Sequence, residues 1–497
     1  MHGGSTTPSR ARKRWHSRLR PGDLLAVGTY GLRGRKGRAA LTAIGIAIGI
    51  AAIVSVFGIS ASGTPGGQTE AQPISLDAIQ ELQLVVSPYD VRQGGFSGGG
   101  INAITKSGTN LLHGTAYYFG RNQDWVGEAP NGTKIGQFAD KQFGGSVGGP
   151  VVRNKAFFFG NVDWTRKDNP SGFSVSSTGQ QFGREAEIDR FLNILRTRYN
   201  YTPGGGKEEF IRTLNSNKFF VRGDFNLGPH HQLTARHNYL DALNDIGRPT
   251  TALYFMPDNF YRIKNKTNST VVQLNSTLGT GVNELRFTYQ RIRDRRAANP
   301  SEERPFPNIT VDLSSGQVRA GRENFSTANE LDQDVYELTD DFTLLKGKHT
   351  FTIGTHNEFF KFRNLFIRDS FGSYRFANLD LFEQGIAGSY DYSFSLTADP
   401  LQSARFRVRQ FGFYAGDQWR PVTNLTLTYG VRADIPTFPD KPTANPLSVS
   451  AYGFKTDEVP GGVLWSPRVG FNYALSSNNT EQIRGGVGLF SGRTPYV

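Results

Sequence analysis

Five glycines lie within seven residues of this sequence, and closely spaced glycines can bind phosphate through their main-chain N–H groups. They are Gly94, Gly95, Gly98, Gly99 and Gly100. A phosphate loop runs from a strand into a helix and supplies a GK[ST] or GxGxxG motif. Here a strand-like run, 101–105, follows the glycines, and neither motif is present. The glycines are therefore predicted to let one stretch of backbone pack closely against another.

Side chains that could bind a metal or transfer protons are scattered along the chain. None of the eight histidines lies in an HExxH motif, and the chain has no cysteine. No metal site, no cofactor and no catalytic residue is therefore predicted, and the protein is not expected to be an enzyme. Two pairs, Arg222 with Asp224 and Arg432 with Asp434, resemble acid–base pairs. Residues two apart on a strand share one face, and we interpret both pairs as the charge-balanced lining of a polar interior.

Alternation of apolar and polar residues recurs after residue 110 and predicts strands with two different faces. The clearest example is 424–434, one face of which carries Leu425, Leu427, Tyr429, Val431 and Ala433. Such segments are about ten residues long, which is the length that a tilted strand needs to cross a bilayer. The mean hydropathy of −0.43 also suits a membrane barrel, because only every second strand residue faces lipid.

The strand candidates form hairpins with short turns, and long segments of roughly 25 to 50 residues separate the hairpins. Six hairpins are predicted: 141–149 with 155–166, 217–226 with 231–240, 269–278 with 283–292, 335–344 with 348–360, 410–419 with 424–434, and 466–475 with 481–490. Connections in soluble β-sandwiches are mostly short. Outer-membrane barrels combine short periplasmic turns with long extracellular loops. The sequence therefore predicts an all-β, antiparallel transmembrane β-barrel over 111–497.

Counting the strands predicts that this barrel is incomplete. With a first strand at 112–120 there are about 13 segments, and Val497 lies just past the last of them. Bacterial single-chain barrels have an even number of strands, because an unpaired edge cannot face lipid. We therefore expect that a complete relative has further strands.

The positive charge is concentrated at the start of the chain. Residues 1–38 hold ten lysines and arginines against one acid, Asp23, whereas the remainder holds 46 basic and 42 acidic residues. A nucleic-acid-binding face would need basic residues interleaved with aromatic ones on a folded surface. The basic run instead precedes 39–59, which has no charged residue over 21 positions and could span a membrane as a helix. No nucleic-acid partner is predicted.

Residues 1–66, which contain this basic run and hydrophobic helix, allow more than one interpretation. The helix suits passage into or anchoring in the inner membrane. As a signal peptide it has small residues at 60–63 for cleavage, but its apolar run is longer than usual. Residues 19–62 also resemble the start of ABC-transporter permeases of the macrolide-exporter type, in which a basic amphipathic segment leads into the first transmembrane helix. A foreign or fused N-terminus and a true signal sequence both stay open.

Residues 67–110 carry a set of motifs between the hydrophobic helix and the barrel. A short strand at 81–86 is followed by a Pro-Tyr-Asp turn, the glycine cluster and the run Ile-Asn-Ala-Ile-Thr-Lys at 101–106, which contains Asn102 and Lys106. This segment resembles the end of the plug domain of TonB-dependent outer-membrane receptors. The runs SGTN (107–110), FGGSVGGP (143–150) and KAFFFG (155–160) are similar to the Oar-like subgroup. The five glycines, Asn102 and Lys106 are interpreted as a structural plug motif.

The resemblance implies a location and a function. A complete relative would lie in the outer membrane and import a large or scarce solute through a plugged barrel, driven by the inner-membrane TonB complex. Its partners would be membrane lipid, the TonB complex and an unidentified solute. Solute contacts are expected in long loops such as 254–262 and 359–375.

The upstream plug, the energy-coupling box and the subgroup's regulatory β-sandwich are missing, so we expect a fragment. A passive surface barrel or adhesin without energy coupling, and an ABC-permease-like inner-membrane component supported by residues 19–62 alone, are the alternatives.

Overall fold

The computed structural model describes residues 67–86, 89–95, 99–128, 132, 136–175, 180–247, 249–299, 304–459, 461–476, 481–492 and 496. The hydrophobic stretch 39–59, its basic flank and Gly98 of the glycine cluster lie outside these residues. Within the described ranges, no helix combines the length and the hydropathy needed to cross a bilayer.

Strands dominate the described part of the chain. In chain order they are β1 (Ile79–Val86), β2 (Gly99–Thr105), β3 (His113–Asn122), β4 (Ala139–Val152), β5 (Ala156–Pro170), β6 (Phe173–Ser174), β7 (Gln180–Gln181), β8 (Ile211–Asn226), β9 (His231–Ile246), β10 (Leu253–Phe255), β11 (Tyr261–Leu278), β12 (Gly281–Ala298), β13 (Asn308–Asp312), β14 (Gln317–Ala320), β15 (Asn329–Lys346), β16 (His349–Phe366), β17 (Ser373–Phe376), β18 (Ser389–Asp391), β19 (Ala404–Val422), β20 (Leu425–Thr437), β21 (Leu464–Trp465), β22 (Arg468–Ala474) and β23 (Gln482–Gly488). The helices are α1 (Glu185–Tyr199), α2 (Leu379–Gln384) and α3 (Pro446–Tyr452), and four 3-10 turns lie at Gly67–Thr69, Leu76–Ala78, Gln123–Trp125 and Pro257–Asn259.

One large antiparallel sheet forms the barrel wall. Its path through the described residues joins thirteen strands, each to the next long strand of the chain: β3, β4, β5, β8, β9, β11, β12, β15, β16, β19, β20, β22 and β23. The short β21 pairs with β20 and is not part of this path. The prediction of about 13 antiparallel strands is confirmed. No ladder between β3 and β23 is present among the described residues.

The alternation predicted from the sequence separates an apolar outer face from a polar inner face. On β19, Phe413 is 51% exposed while its neighbour Tyr414 is 4% exposed. Other exposed apolar side chains of the outer face are Phe219, Leu285, Phe287, Ile353, Val431, Val469 and Phe471. Buried polar side chains of the inner face include Asp163, Lys218, Asp224, Thr339, Asp341 and Asp434. This distribution, apolar outside and polar inside, is the one that a barrel in hydrocarbon requires.

All six predicted hairpins are present. In five of them the strands are longer than predicted at the long-loop end, whereas β22 and β23 of the last hairpin are shorter than predicted. The pair 269–278 with 283–292 is observed as β11 with β12, which remain in register from the Leu278–Gly281 turn up to Tyr261 and Ala298. The first additional residues of β12 are polar on both faces, as in RDRR at 293–296. The hydropathy alternation therefore ends there, while the main-chain hydrogen bonds continue.

Four long loops fold together into a compact unit, which we call the cap. A five-stranded sheet in the order β10-β14-β13-β17-β18 joins strands from three loops, and two of its pairings, β10 with β14 and β13 with β17, are parallel. The fourth loop contributes α1, whose Ile188, Phe191 and Leu195 pack into the same buried core. The spacing of these three residues places them on one face of the helix. The sequence alone had predicted these segments only as loops.

Candidate functional site

The plug segment, residues 67–110, lies against the inner face of the barrel wall and contacts it at several places. At the first place, Tyr89 and Val91 pack on four wall glycines. A Cβ on Gly416 would lie 3.0 Å from Cγ2 of Val91, and one on Gly470 would lie 2.8 Å from Cγ of Tyr89. Larger residues here would displace the plug segment. The four glycines, on β19, β20, β22 and β23, are Gly416, Gly430, Gly470 and Gly486.

Arg432 on β20 binds the main chain of the turn at 89–95, which contains Tyr89 and Val91. Its guanidinium donates three hydrogen bonds of 2.8 to 3.0 Å to Asp434, and both side chains are almost fully buried. Its Nη1 also donates to the carbonyl oxygens of Val91, at 3.4 Å, and Arg92, at 3.3 Å. A Cβ on Gly94 would lie 2.5 Å from the guanidinium. The glycine is thus required by a wall arginine, rather than by the backbone contact that the sequence predicted.

Arg468 on β22 also binds the main chain of this turn. Its Nη1 donates to the carbonyl oxygens of Asp90, at 2.9 Å, and Gln93, at 2.8 Å. Within the turn, Arg92 and Asp90 form an ion pair at 2.6 Å. Partial burial raises the pKa of the Asp90 carboxyl, but the hydrogen bonds and charge of Arg92 outweigh it and hold the pKa below its usual value. Two wall arginines therefore bind the main chain of a turn whose own charges are balanced.

The second contact place lies on β8 and β9. Arg222 is paired with Asp224 at 2.8 Å and donates from Nη1 to the carbonyl oxygen of Thr105, at 2.9 Å, and to its hydroxyl, at 3.1 Å. Thr234 donates to the same carboxylate at 2.7 Å. Both arginine–aspartate pairs singled out in the sequence are present as ion pairs on the inner face. Both pairs were predicted to line a polar barrel interior. In the structure each arginine also donates a hydrogen bond to the plug segment.

Asp77 connects the plug segment to β3 and β5. Its carboxylate accepts hydrogen bonds from Thr115 at 2.7 Å and Asn161 at 3.2 Å, both on the wall, and from Lys106 at 3.1 Å. The main-chain N–H of Lys106 donates to the carbonyl of Ala78 at 2.9 Å. Lys106 therefore holds the 3-10 turn Leu76–Ala78 against the end of β2. Lys106 was predicted from the sequence as part of the motif, whereas Asp77 was not.

A buried ion pair lies next to this contact. Asp163 on β5 and Lys218 on β8 are joined at 3.0 Å. The other carboxylate oxygen accepts from Tyr117 at 2.6 Å, from Gln142 at 2.8 Å and from Ser75 of the plug segment at 3.4 Å. Buried charges are tolerated only when each is paired and hydrogen-bonded, as both are here.

The residues of the predicted plug motif are divided between these contacts and the plug hairpin. Gly95 has a φ of +63°, a backbone conformation that favours glycine. Gly99 and Gly100 belong to β2 and pair with β1, and Asn102 donates to Gln83 of β1 at 3.4 Å. Gly98 lies outside the described residues. The described part of the motif thus belongs to the turn at 89–95 and to the paired β1–β2 hairpin, and among the described residues no helix follows the glycines to complete a phosphate loop.

A polar cavity of about 820 Å³ separates the plug hairpin from part of the wall. The plug side supplies Asp90, Arg92 and residues of β2, and the wall side supplies charged or polar side chains from six strands: Arg222, Arg236, Gln273, Glu284, Arg286, Thr339, Asp341 and His356. Within the described ranges, no three His, Asp or Glu side chains converge as a metal site. The cavity is therefore a polar space between the plug segment and the wall.

Most residues of the first loop expected to contact a solute, 254–262, are buried. Tyr254, Met256 and Phe260 are each at most 3% exposed, and Tyr254 and Met256 belong to the cap core. Burial raises the pKa of the Tyr254 hydroxyl to about 12. In 359–375, Phe360 and Phe362 form a separate inward-facing cluster. These buried aromatic residues therefore stabilise the cap and the long-loop end of the wall, each within its own cluster, and present little surface to a solute.

Asp77→Asn is expected to weaken docking of the plug segment by about 1–3 kcal/mol, the range for hydrogen bonds to a charged group. Burial raises the pKa of Asp77, but hydrogen bonds from Ser146, Thr115 and Lys106 outweigh it and lower the pKa below 3.8. The contribution is therefore present above the usual carboxyl pKa and lost as pH falls through the lowered value. Amide hydrogen exchange of 75–78 and 101–106 against pH measures it. Equal acid sensitivity in both proteins would show that Asp77 does not control docking.

The wall and its polarity define a transmembrane β-barrel, and residues 67–110 lie against its inner face. The chain matches the outer membrane beta barrel domain family over residues 104–210 and 196–496. It belongs to this family and lies in the outer membrane. The match does not reach residues 19–62, and the resemblance of that stretch to exporter permeases finds no support in these comparisons.

Three similar proteins are described as transporters. The TonB-dependent transporter Oar from Myxococcus xanthus is 24% identical over 189 residues, 33% of this chain and 16% of that protein. The outer-membrane transporter YddB from Escherichia coli has a TM-score of 0.54 at 14% identity, with 85% of this chain and 49% of that chain covered. The copper transporter OprC has a TM-score of 0.50 at 12% identity, with 84% and 51% covered. The chain thus spans about half the length of these two structures, which share its fold.

Proposed function

We propose that this chain is part of a TonB-dependent importer of a large or scarce solute, in which the plug segment closes the barrel lumen. The observation that carries the proposal is the way the plug segment is bound. Arg222, Arg432 and Arg468 donate hydrogen bonds to main-chain carbonyls of the plug segment. Such bonds are individually worth only about 1–3 kcal/mol and are easily exchanged for water, so a plug held in this way can be released.

The similar transporters support energy coupling by the TonB complex, since Oar carries that dependence in its name. The contacts of the plug segment favour the same view. Its apolar contacts use short or single side chains, with Ala78 against Phe159 and Phe220, Ala71 against Leu240 and Ala242, and Tyr89 and Val91 against wall glycines. Between them lie the hydrogen bonds of Asp77 and of the three wall arginines. A permanent structural core would instead bury mainly apolar side chains.

Deleting residues 67–106 is expected to open the barrel. In planar bilayers with KCl, the full chain should conduct poorly and the deletion variant roughly tenfold better or more, because a wide polar lumen passes ions once it is unplugged. Heat-induced mobility shift on a gel should show that both barrels are folded. A full chain that conducts as well as the deletion variant would favour the passive barrel or adhesin.

A cysteine at Val91 tests the coupling itself, and the absence of other cysteines makes the result unambiguous. Val91 is 4% exposed behind the wall glycines. In cells, Val91→Cys should react with a membrane-impermeant maleimide only while the proton-motive force is intact, and Leu396→Cys, at a position that is 90% exposed in the long loop between β16 and β19, serves as the reactive control. Labelling of Val91→Cys that is unchanged when the proton-motive force is collapsed would contradict energy coupling.

A further inference from the structure

One arginine in the polar cavity between the plug segment and the wall lacks a partner. The cavity is lined by four arginines and three acids: Arg92, Arg222, Arg236, Arg286, Asp90, Glu284 and Asp341. Three of the arginines are paired with acids: Arg92 with Asp90 at 2.6 Å, Arg222 with Asp224 at 2.8 Å, and Arg286 with Glu284 at 3.4 Å. Arg236 on β9 forms no hydrogen bond or ion pair through its side chain with another described residue.

The surroundings of Arg236 do not compensate its charge. Arg222 lies directly opposite it on β8, and like charges in this position destabilise a sheet. The carboxylate of Asp224 is occupied by two hydrogen bonds from Arg222 and one from Thr234. Asp341 lies on β15, three strands from β9 along the wall, and accepts a hydrogen bond from Tyr414 at 2.6 Å. Arg236 is therefore a half-buried cation without a counter-ion, and such a charge is costly until an anion pairs with it.

Two further side chains of the same cavity offer hydrogen-bond donors beside Arg236. Arg286 on β12 has only its loose ion pair with Glu284, on the same strand. Gln273 on β11 lies in register with Arg286, and β11 separates β9 from β12. The strands of the two arginines are thus about 10 Å apart, with an amide between them. A guanidinium has five N–H donors and no acceptor, and its fork matches the paired oxygens of a carboxylate or a phosphate.

We propose that Arg236, Gln273 and Arg286 form a binding site for the carboxylate or phosphate group of a small acid. The cavity of about 820 Å³ lies within the range of about 300–1,000 Å³ that is typical of small-molecule sites, so it has room for more than an inorganic ion. An uncharged ligand would leave Arg236 unpaired. Arg222 adds positive charge, but its donors are already used by Asp224 and Thr105. The binding of an acid here does not require energy coupling, so this inference is independent of the proposed function.

Thermal unfolding of the full chain in neutral detergent, at increasing concentrations of succinate or inorganic phosphate, tests the site. An acid that binds only the folded protein raises the unfolding midpoint, and the concentration dependence gives its Kd. Arg236→Gln should weaken binding roughly tenfold or more, because hydrogen bonds to a charged group are lost. Arg236→Lys should weaken it less, because the charge remains while the planar fork is lost. Lys141→Gln removes an exposed cation of β4 as the matched control and should change the Kd less than about twofold.

The acid-free proteins distinguish a binding role of Arg236 from a structural one. Without acid, Arg236→Gln should be at least as stable as the unmodified chain, because it removes a charge directly opposite Arg222. Sucrose should raise the midpoints of all variants equally, since it acts by exclusion from the protein surface. A difference that appears with succinate alone, or with phosphate alone, would identify the acid group that the site accepts. Equal midpoint shifts in the unmodified chain and Arg236→Gln with both acids would overturn the proposal, and so would a loss of stability in acid-free Arg236→Gln.

Discussion

Arg432→Gln is expected to destabilise the barrel by about 3–5 kcal/mol, the cost of leaving one partner of a buried ion pair behind. Arg432 and Asp434 are each 1% exposed. The carboxylate takes three hydrogen bonds from the guanidinium and one, at 3.2 Å, from Ser491. The glutamine amide could replace only part of these. The shift in the unfolding midpoint, followed by circular dichroism in detergent, measures the loss.

The double variant Arg432→Gln/Asp434→Asn distinguishes the two roles of Arg432. Removing both charges should restore most of the barrel stability, because no unpaired buried charge remains. The contacts with the carbonyls of Val91 and Arg92 stay lost, so hydrogen exchange of 89–95 should remain fast. Arg407→Gln, which breaks the exposed pair with Asp440, should cost less than about 1 kcal/mol. If Arg432→Gln costs no more than Arg407→Gln, the buried pair does not carry this stability.

The barrel could be predicted from the sequence because its determinants are local. Each strand shows the alternation that lipid on one side and water on the other impose, and each hairpin closes through a short turn. For the strand 424–434, the sequence correctly places Arg432 and Asp434 on the inner face opposite Val431. The ends of the strands next to the long loops could not be predicted. Beyond the membrane both faces of β12 meet polar surroundings, so no alternation marks its last residues.

The plug contacts and the cap depend on pairings far apart in sequence, and no periodic pattern records them. The role of Gly94 is set by Arg432, more than 300 residues away. The cap strands are three to five residues long, as in β10 and β13, and each is too short to show a period. Their partners lie in other loops, partly in parallel pairings. The abundant aromatic residues of these loops could have indicated a buried core. Aromatic residues also suit solute binding, and the prediction from the sequence was solute binding.

The cap should unfold separately from the barrel, since its core is built only from loop residues. Phe382 of α2 is fully buried and packs on Phe191 at 5.4 Å, Tyr199 at 5.0 Å and Phe376 at 4.9 Å between ring centroids. It thus connects α1 with the five-stranded sheet. Truncating a buried phenylalanine typically costs about 3–5 kcal/mol, because the lost apolar contacts leave a cavity. A unit of this size has little stability to lose, whereas the wall has its own ladder of hydrogen bonds.

Phe382→Ala is therefore expected to increase hydrogen exchange 100-fold or more, about 3 kcal/mol, in α1, β13 and β17, while β15 and β16 stay protected. Phe394→Ala is the matched control, because Phe394 is 62% exposed and its loss should leave exchange of the cap unchanged. Uniform loss of protection in cap and wall would mean that the two unfold as one unit. Unchanged protection of α1 would mean that the interhelical ion pairs of Arg190 with Asp380 and Glu383, at 2.6 and 2.7 Å, hold the helices without the aromatic core. Exposed pairs of this kind contribute at most about 1 kcal/mol, so the aromatic core is expected to decide the outcome.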